Sequence, residues 1–160
     1  MKTLILLRHA HTEDGFGKND WERSLTNKGI NDAISMTTKL NEIEIFPQII
    51  ISSHAARTQQ TASIFSENLI TKNVTSIINN QLYNSTSKTI EDEILNIPDG
   101  FETVMIVCHN PGITDFVNSI NGVISYGLQP CGMVIFNFDT HQWSSIINSK
   151  SKLIGIHQPS

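Results

Sequence analysis

Leu4-Ile5-Leu6-Leu7-Arg8-His9-Ala10 sets four consecutive large aliphatic residues against an abrupt end in a guanidinium and an imidazole. An apolar run of this kind, without polar alternation, predicts a strand buried on both faces, as in the middle of a parallel sheet. Arg8 and His9 then stand at its carboxyl end, the edge at which open α/β sheets bind their ligands. That makes the pair the first candidate for a site.

Moving outward, the same pattern returns twice. Gln48-Ile49-Ile50-Ile51-Ser52 follows a break at Phe46-Pro47, and Thr103-Val104-Met105-Ile106-Val107-Cys108 runs into His109-Asn110-Pro111-Gly112. Helices are predicted between them. Thr26 is the expected N-cap of the first, with Ile30, Ala33, Ile34, Thr37 and Leu40 as its apolar stripe. A second helix follows Ser53-His54-Ala55-Ala56-Arg57, with Ala62, Ile64, Phe65 and Leu69 as its apolar positions and Arg57 in or just before its first turn. Val74 to Ile78 reads as a third strand and Thr89 to Ile97 as a short amphipathic helix. Another helix is expected through Phe116, Val117 and Ile120, with Pro111 at its opening and free N–H groups suited to an anion. Met133 to Phe138 and Gln142 to Ile147, around Asp139-Thr140-His141, read as a β-hairpin, and the tail from Ser149 as irregular. Alternating strands and helices predict an α/β fold with a mostly parallel central sheet, in one domain spanning 1–160.

Composition narrows the function. A net charge of -4 and a pI near 5.8 argue against a nucleic-acid surface, which carries a basic stripe. Two cysteines, Cys108 and Cys131, do not make a disulfide framework in a chain of 160 residues. No apolar run is long enough to span a bilayer, and no leader pattern precedes the first strand. The expectation is a soluble cytoplasmic protein with no nucleic-acid or membrane partner; nothing in the sequence speaks to its oligomeric state.

The strand ends carry the chemistry. Parallel strands place Arg8-His9, Ser52 leading to Arg57, and His109 on one edge, so two imidazoles and two guanidinium groups converge. Guanidinium forks bind phosphate oxygens bidentately and neutralise charge that would repel a nucleophile. Crowding His9 with cations disfavours imidazolium and keeps a lone pair available near neutral pH.

These residues resemble the histidine phosphatase superfamily, the phosphoglycerate-mutase-like fold, and within it the short SixA-type phosphohistidine phosphatases. The family's Arg-His-Gly/Ala signature is similar to Arg8-His9-Ala10. Its Ser-x-x-x-x-Arg-Thr-x-x-Thr-Ala block is similar to Ser52–Ala62, and its later histidine to His109. Asp20-Trp21-Glu22-Arg23-Ser24-Leu25-Thr26-x-x-Gly29 resembles the subgroup's Arg-Pro-Leu-Thr-x-x-Gly block, with Ser24 in place of proline. The resemblance implies a three-layer α/β/α sandwich and a metal-independent hydrolase without cofactor. It further implies that His9 is the phosphorylated nucleophile, that Arg8, Arg57 and His109 hold the phosphoryl group, that Arg23 and Asn110 are further substrate contacts, and that the substrate bears phosphate, as phosphohistidine on a protein partner. Many relatives carry an acid after the third strand, where this chain reads Leu82-Tyr83-Asn84-Ser85. Asp20, with Glu22 second to it, is the substitute acid that the sequence offers.

Other readings compete. A small phosphoester could be the substrate, or the cationic pocket could retain a phospho-ligand without turnover. A metallohydrolase built on His9, His11, His54 and His109 is disfavoured, because Arg8 and Arg57 would repel a divalent cation. His11 reads as a solvated loop residue, His54 as a rim or capping residue, and Trp21 as a substrate platform or a pin holding its loop to the core. Cys108 reads as an inert buried thiol rather than a nucleophile.

Overall fold

The computed structural model describes residues 1–122, Ile124 and residues 126–160. In chain order its regular elements are β1 (Lys2–Arg8), α1 (Asn27–Glu42), β2 (Ile49–Ser52), α2 (Ala56–Asn68), β3 (Thr75–Ile78), α3 (Ser87–Leu95), β4 (Thr103–Cys108), α4 (Gly112–Ile120), β5 (Met133–Phe138) and β6 (Ser151–His157). The six strands form one sheet in the order β3-β2-β4-β1-β5-β6. β3, β2, β4 and β1 are parallel, while β5 and β6 are antiparallel additions.

Alternation along β1 divides the core into two layers. Leu4 and Leu6 face one side with Ile90 and Ile94 of α3 and Phe116 and Val117 of α4. Ile5 and Leu7 face the other with Ala33 and Leu40 of α1 and Phe65 of α2. Side chains of this size each contribute roughly 1.5–3 kcal/mol when fully buried, which is why Leu4 to Leu7, at the centre of β1, are all aliphatic. The result is the expected three-layer α/β/α sandwich. Register then sets the site: Arg8 lies opposite Cys108 and Ser52 opposite Val107, so the three strands stop level on one edge.

Two close approaches explain the glycines in the motifs. A Cβ at Gly29 would collide with the His11 carbonyl, and one at Gly112 with the Ser85 carbonyl. Thr26 caps α1 as expected, its hydroxyl accepting from the Gly29 N–H at 3.1 Å. Ile30 and Ile34, however, lie at the flank of α1 and stay largely exposed; the buried stripe is Gly29, Ala33, Met36, Thr37 and Leu40.

The C-terminal hairpin differs from expectation. Gln142–Ile147 is not a strand: Trp143–Asn148 forms a 3-10 turn, and β6, in the tail read as irregular, is the partner of β5. Trp143 and Ile146, three residues apart, are both buried on one face of that turn, matching a helix of three residues per turn. The Trp143 indole N–H donates to the Phe101 carbonyl at 2.7 Å and its backbone N–H to Asp99 at 2.8 Å, which fixes it under the sheet. β6 alternates only between exposed and half-buried residues, so its apolar signal is faint. Among the described residues no helix is long and apolar enough to cross a membrane.

Candidate active site

His9 follows β1, and its position is over-determined. Its own N–H donates to the Cys108 carbonyl, the Cys131 N–H donates to the carbonyls of both Arg8 and His9, and the Ala10 N–H donates to Thr61 Oγ1 at 3.0 Å. Its Nδ1 lies 2.8 Å from the Ala10 carbonyl oxygen, which can only accept. Nδ1 therefore carries the proton, and Nε2 keeps the lone pair. Burial pushes the imidazole down to about 4, the Ala10 hydrogen bond working against it and the charges of Arg57, Arg8 and Arg23 working with it. At neutral pH His9 is a neutral, oriented base.

The Arg-Thr-x-x-Thr block explains itself in three dimensions. Thr61 hydrogen-bonds β1 through Ala10 while its own hydroxyl donates to the Arg57 carbonyl at 2.7 Å. Thr58 shares a 2.7 Å hydrogen bond with Ser53, whose hydroxyl also meets His109 Nε2 at 2.7 Å. Ser53 and Thr58 thus brace His109, and the fixed spacing of hydroxyls around Arg57 is their signal in the chain.

His109 sits at the end of β4, its ring 5.4 Å from that of His9. Burial first, then His9 and Arg57, push it down to about 3. Arg8 donates through Nη1 to the Leu128 carbonyl at 2.9 Å. Arg57 donates through Nη1 to the Asp20 carbonyl at 2.7 Å and through Nη2 to Asp20 Oδ2 at 3.0 Å. What remains of these three side chains is telling: Arg8 Nε, Arg57 Nε and His109 Nδ1 are buried and have no protein partner. Buried polar nitrogens are ordinarily satisfied, and these three, with His54 Nδ1 as a fourth, make the cluster around neutral His9 the candidate seat for an oxyanion.

Three sequence candidates are placed differently from expectation. Arg23 spends its fork within the loop, on the Glu13 carbonyl, Thr12 Oγ1 and Asp20 Oδ1. Asn110 accepts from Thr114 and donates to the Leu128 carbonyl, bracing the loop that also receives Arg8. Asp20 is the largest revision. Its carboxylate takes the Tyr83 hydroxyl and the Arg57 and Arg23 guanidinium groups, and these hold it down to about 2, the Tyr83 hydrogen bond leading and burial opposing. It is an ionised acceptor and has no proton to give near neutral pH. Glu22, the second choice, accepts the Asn19 N–H as a cap.

The remaining readings resolve simply. His11 is exposed and shares a hydrogen bond with Thr26. Trp21 is exposed as well and does not pin its loop to the core. Burial pushes the Cys108 thiol up to about 12, which makes it inert. Tyr83 was missed: its ring meets His109 edge-on at 5.4 Å, tilts against His54 at 4.7 Å, and lies 5.9 Å from the Arg57 guanidinium. Among the described residues no group of His, Cys, Asp and Glu could hold a metal ion.

The two depressed imidazoles tie stability to pH. Unfolded histidines protonate near 6.5, whereas folded His9 and His109 remain neutral until about 4 and about 3. The unfolded chain therefore binds more protons throughout that window, and stability, complete above about pH 6.5, is lost progressively as pH falls. Lowering pH from 7.5 to 5.5 should cost roughly 1 kcal/mol for each of the two imidazoles. The urea midpoint checks this, and in His109→Asn the pH-dependent loss should be about half as large.

A sequence model of the histidine phosphatase superfamily (branch 1) matches residues 4–84. An uncharacterized chloroplastic protein of Arabidopsis thaliana is 28% identical over 152 residues, covering 89% of this chain and 69% of that protein. Among solved structures, a SixA protein from Agrobacterium tumefaciens superposes with a TM-score of 0.84 at 23% identity over 99% of both chains. The protein histidine phosphatase SixA complexed with tungstate gives 0.82 at 15% identity, over 98% of this chain and 97% of that one. Both structures share the fold described above.

Proposed function

Because the chain belongs to the histidine phosphatase superfamily, we propose that it is a phosphatase acting through a covalent phosphohistidine at His9, on phosphohistidine displayed by a partner protein. The observation that carries this reading is the set of three partnerless nitrogens, Arg8 Nε, Arg57 Nε and His109 Nδ1, beside a neutral His9. His9 Nε2 attacks phosphorus, and the bond from phosphorus to the substrate's ring nitrogen breaks. The departing imidazole keeps the proton on its other nitrogen and leaves neutral. Water then attacks phospho-His9; its oxygen and protons pass to phosphate, and His9 returns as the neutral Nδ1–H form. The Ala10 carbonyl, already accepting from Nδ1, stabilises the positive ring of the intermediate.

The first step exchanges one phosphoimidazole for another and needs no general acid. An alkoxide leaving group would need one, and Asp20 is held ionised by Tyr83, Arg57 and Arg23. A protein-borne substrate is supported by the loop over the site. Phe16, 99% exposed, stands between Gly15 and Gly17, both with positive φ, and Trp21 is exposed on the same loop next to Asp20. Exposed aromatic side chains beside a functional pocket are typical protein contacts.

A rate comparison on one preparation tests the reading. Phosphohistidine on a protein should turn over faster than free phosphohistidine, and both faster than phosphoserine by at least about tenfold, given the missing acid contribution. Faster turnover of phosphoserine would overturn the preference for the P–N bond. Equal rates for protein-borne and free phosphohistidine would overturn the protein substrate.

A further inference from the structure

Arg57 is held from two directions. Both Nη atoms are bonded to Asp20, one to its backbone carbonyl and one to Oδ2, while Nε is buried without a protein partner. The Asp20 carboxylate is in turn held from the far side of the cleft. Tyr83, on the segment after β3, donates its hydroxyl to the same Oδ2 at 2.5 Å. That segment is itself anchored: the Asn79 N–H donates to the Ser52 carbonyl at 2.8 Å, Leu82 is fully buried, and the Ser85 carbonyl abuts Gly112 at the start of α4. The Tyr83 ring is braced by His54 and His109.

We propose that Tyr83 and Asp20 are positioning residues of this phosphatase, the Tyr83 hydroxyl fixing the Asp20 carboxylate and the carboxylate fixing the plane of Arg57 so that Nε is presented to the phosphoryl group. The inference rests on the proposed function for its kinetic consequence. Its geometric consequence, the orientation of an anion-binding guanidinium, does not require turnover.

Two effects of Asp20 oppose each other, and their sizes decide the sign. A carboxylate near the seat repels a bound oxyanion. Yet Asp20 is half-exposed, with a side chain 49% accessible, so solvent and the two arginines screen its field. Arg57 is 5% accessible, and its alignment is set by direct hydrogen bonds that solvent does not screen. A guanidinium acts through a planar fork, so rotation out of plane loses a donor outright. Alignment dominates, and Tyr83 supplies it at a distance from the reacting atoms.

The test is a double-mutant cycle on the full chain with two readouts: tungstate affinity by calorimetry and turnover of a phosphohistidine protein. Tyr83→Phe keeps the ring contacts and removes only the hydroxyl. It should weaken tungstate binding severalfold and lower kcat about tenfold, the size of one hydrogen bond to a charged group, with little change in KM. Asp20→Ala should weaken both at least as much. Tyr83→Phe placed on Asp20→Ala should then add nothing, because the two side chains act in series. Tighter tungstate binding in Asp20→Ala would show that repulsion outweighs alignment and would overturn the proposal. Multiplying losses in the double variant, or an unchanged Tyr83→Phe, would overturn it too. A wild-type protein that binds tungstate but does not turn over phosphohistidine refutes the proposed function, and the affinity cycle still reads the positioning directly.

Discussion

His9→Ala is expected to abolish both phosphate release and formation of the phosphoenzyme, a loss on the order of 10⁴-fold or more, by comparison with removal of a nucleophile elsewhere. No neighbour can take its place. His109 has Nε2 engaged by Ser53 and is itself buried, and the Cys108 thiol stays protonated far above neutral pH. The fold should survive, because the strand end is held by the Cys131 N–H on the Arg8 and His9 carbonyls and by the Ala10 N–H on Thr61 Oγ1, bonds that an alanine at 9 retains. Rapid quench with labelled phosphohistidine protein should trap an acid-labile, base-stable label in the wild type, mapping to the peptide that contains His9. Label on any other residue, or normal turnover in the variant, would remove His9 as nucleophile.

The parts of this site that were readable in the chain are those set by short-range rules. Strand ends follow from apolar runs that stop, and parallel topology brings those ends together without any knowledge of side-chain contacts; Arg8, His9, Arg57 and His109 were legible for that reason. Loop side chains obey no such rule. Asp20 looked like an acid because it is a carboxyl in the loop after His9, yet its protonation is governed by Tyr83, 63 residues away, and by two guanidinium groups. Arg23 and Asn110 enter as substrate contacts through the family resemblance alone, and the partners each holds here belong to loops that only the folded chain supplies. The C-terminal hairpin is obscured on a different ground. Gln142 to Ile147 follows Asp139-Thr140-His141 as a second hairpin arm would, but Trp143 and Ile146 are spaced for a 3-10 turn, and β6 carries too little apolar contrast to announce itself. The hydroxyls of Ser53, Thr58 and Thr61 lie between these cases: their spacing is fixed in the chain, but the partners just past β1 and β4, Ala10 and His109, are not.

Arg57→Lys is expected to fold and to lose activity on the order of 10²- to 10³-fold in kcat, the range for deleting one preorganised transition-state donor. The size of the loss follows from what Arg57 does at once. Two Nη atoms bond Asp20 and the third nitrogen, Nε, is buried without a protein partner, so the guanidinium can bridge loop and phosphoryl group through separate corners of one rigid plane. A lysine places all its donors on a single atom at the end of a flexible stem. Drawn to Asp20 it leaves the seat, and drawn to the phosphoryl group it frees the carboxylate to repel the same oxygens. Neither compromise restores the original geometry, although the net charge is unchanged, so long-range electrostatics cannot account for the difference. Circular dichroism and urea unfolding would establish that the variant is folded, and tungstate calorimetry would establish that its anion seat is weakened. A folded Arg57→Lys protein with near-normal kcat would mean that Arg57 only ties the loop to α2, and that Arg8 and His109 suffice to stabilise the transition state.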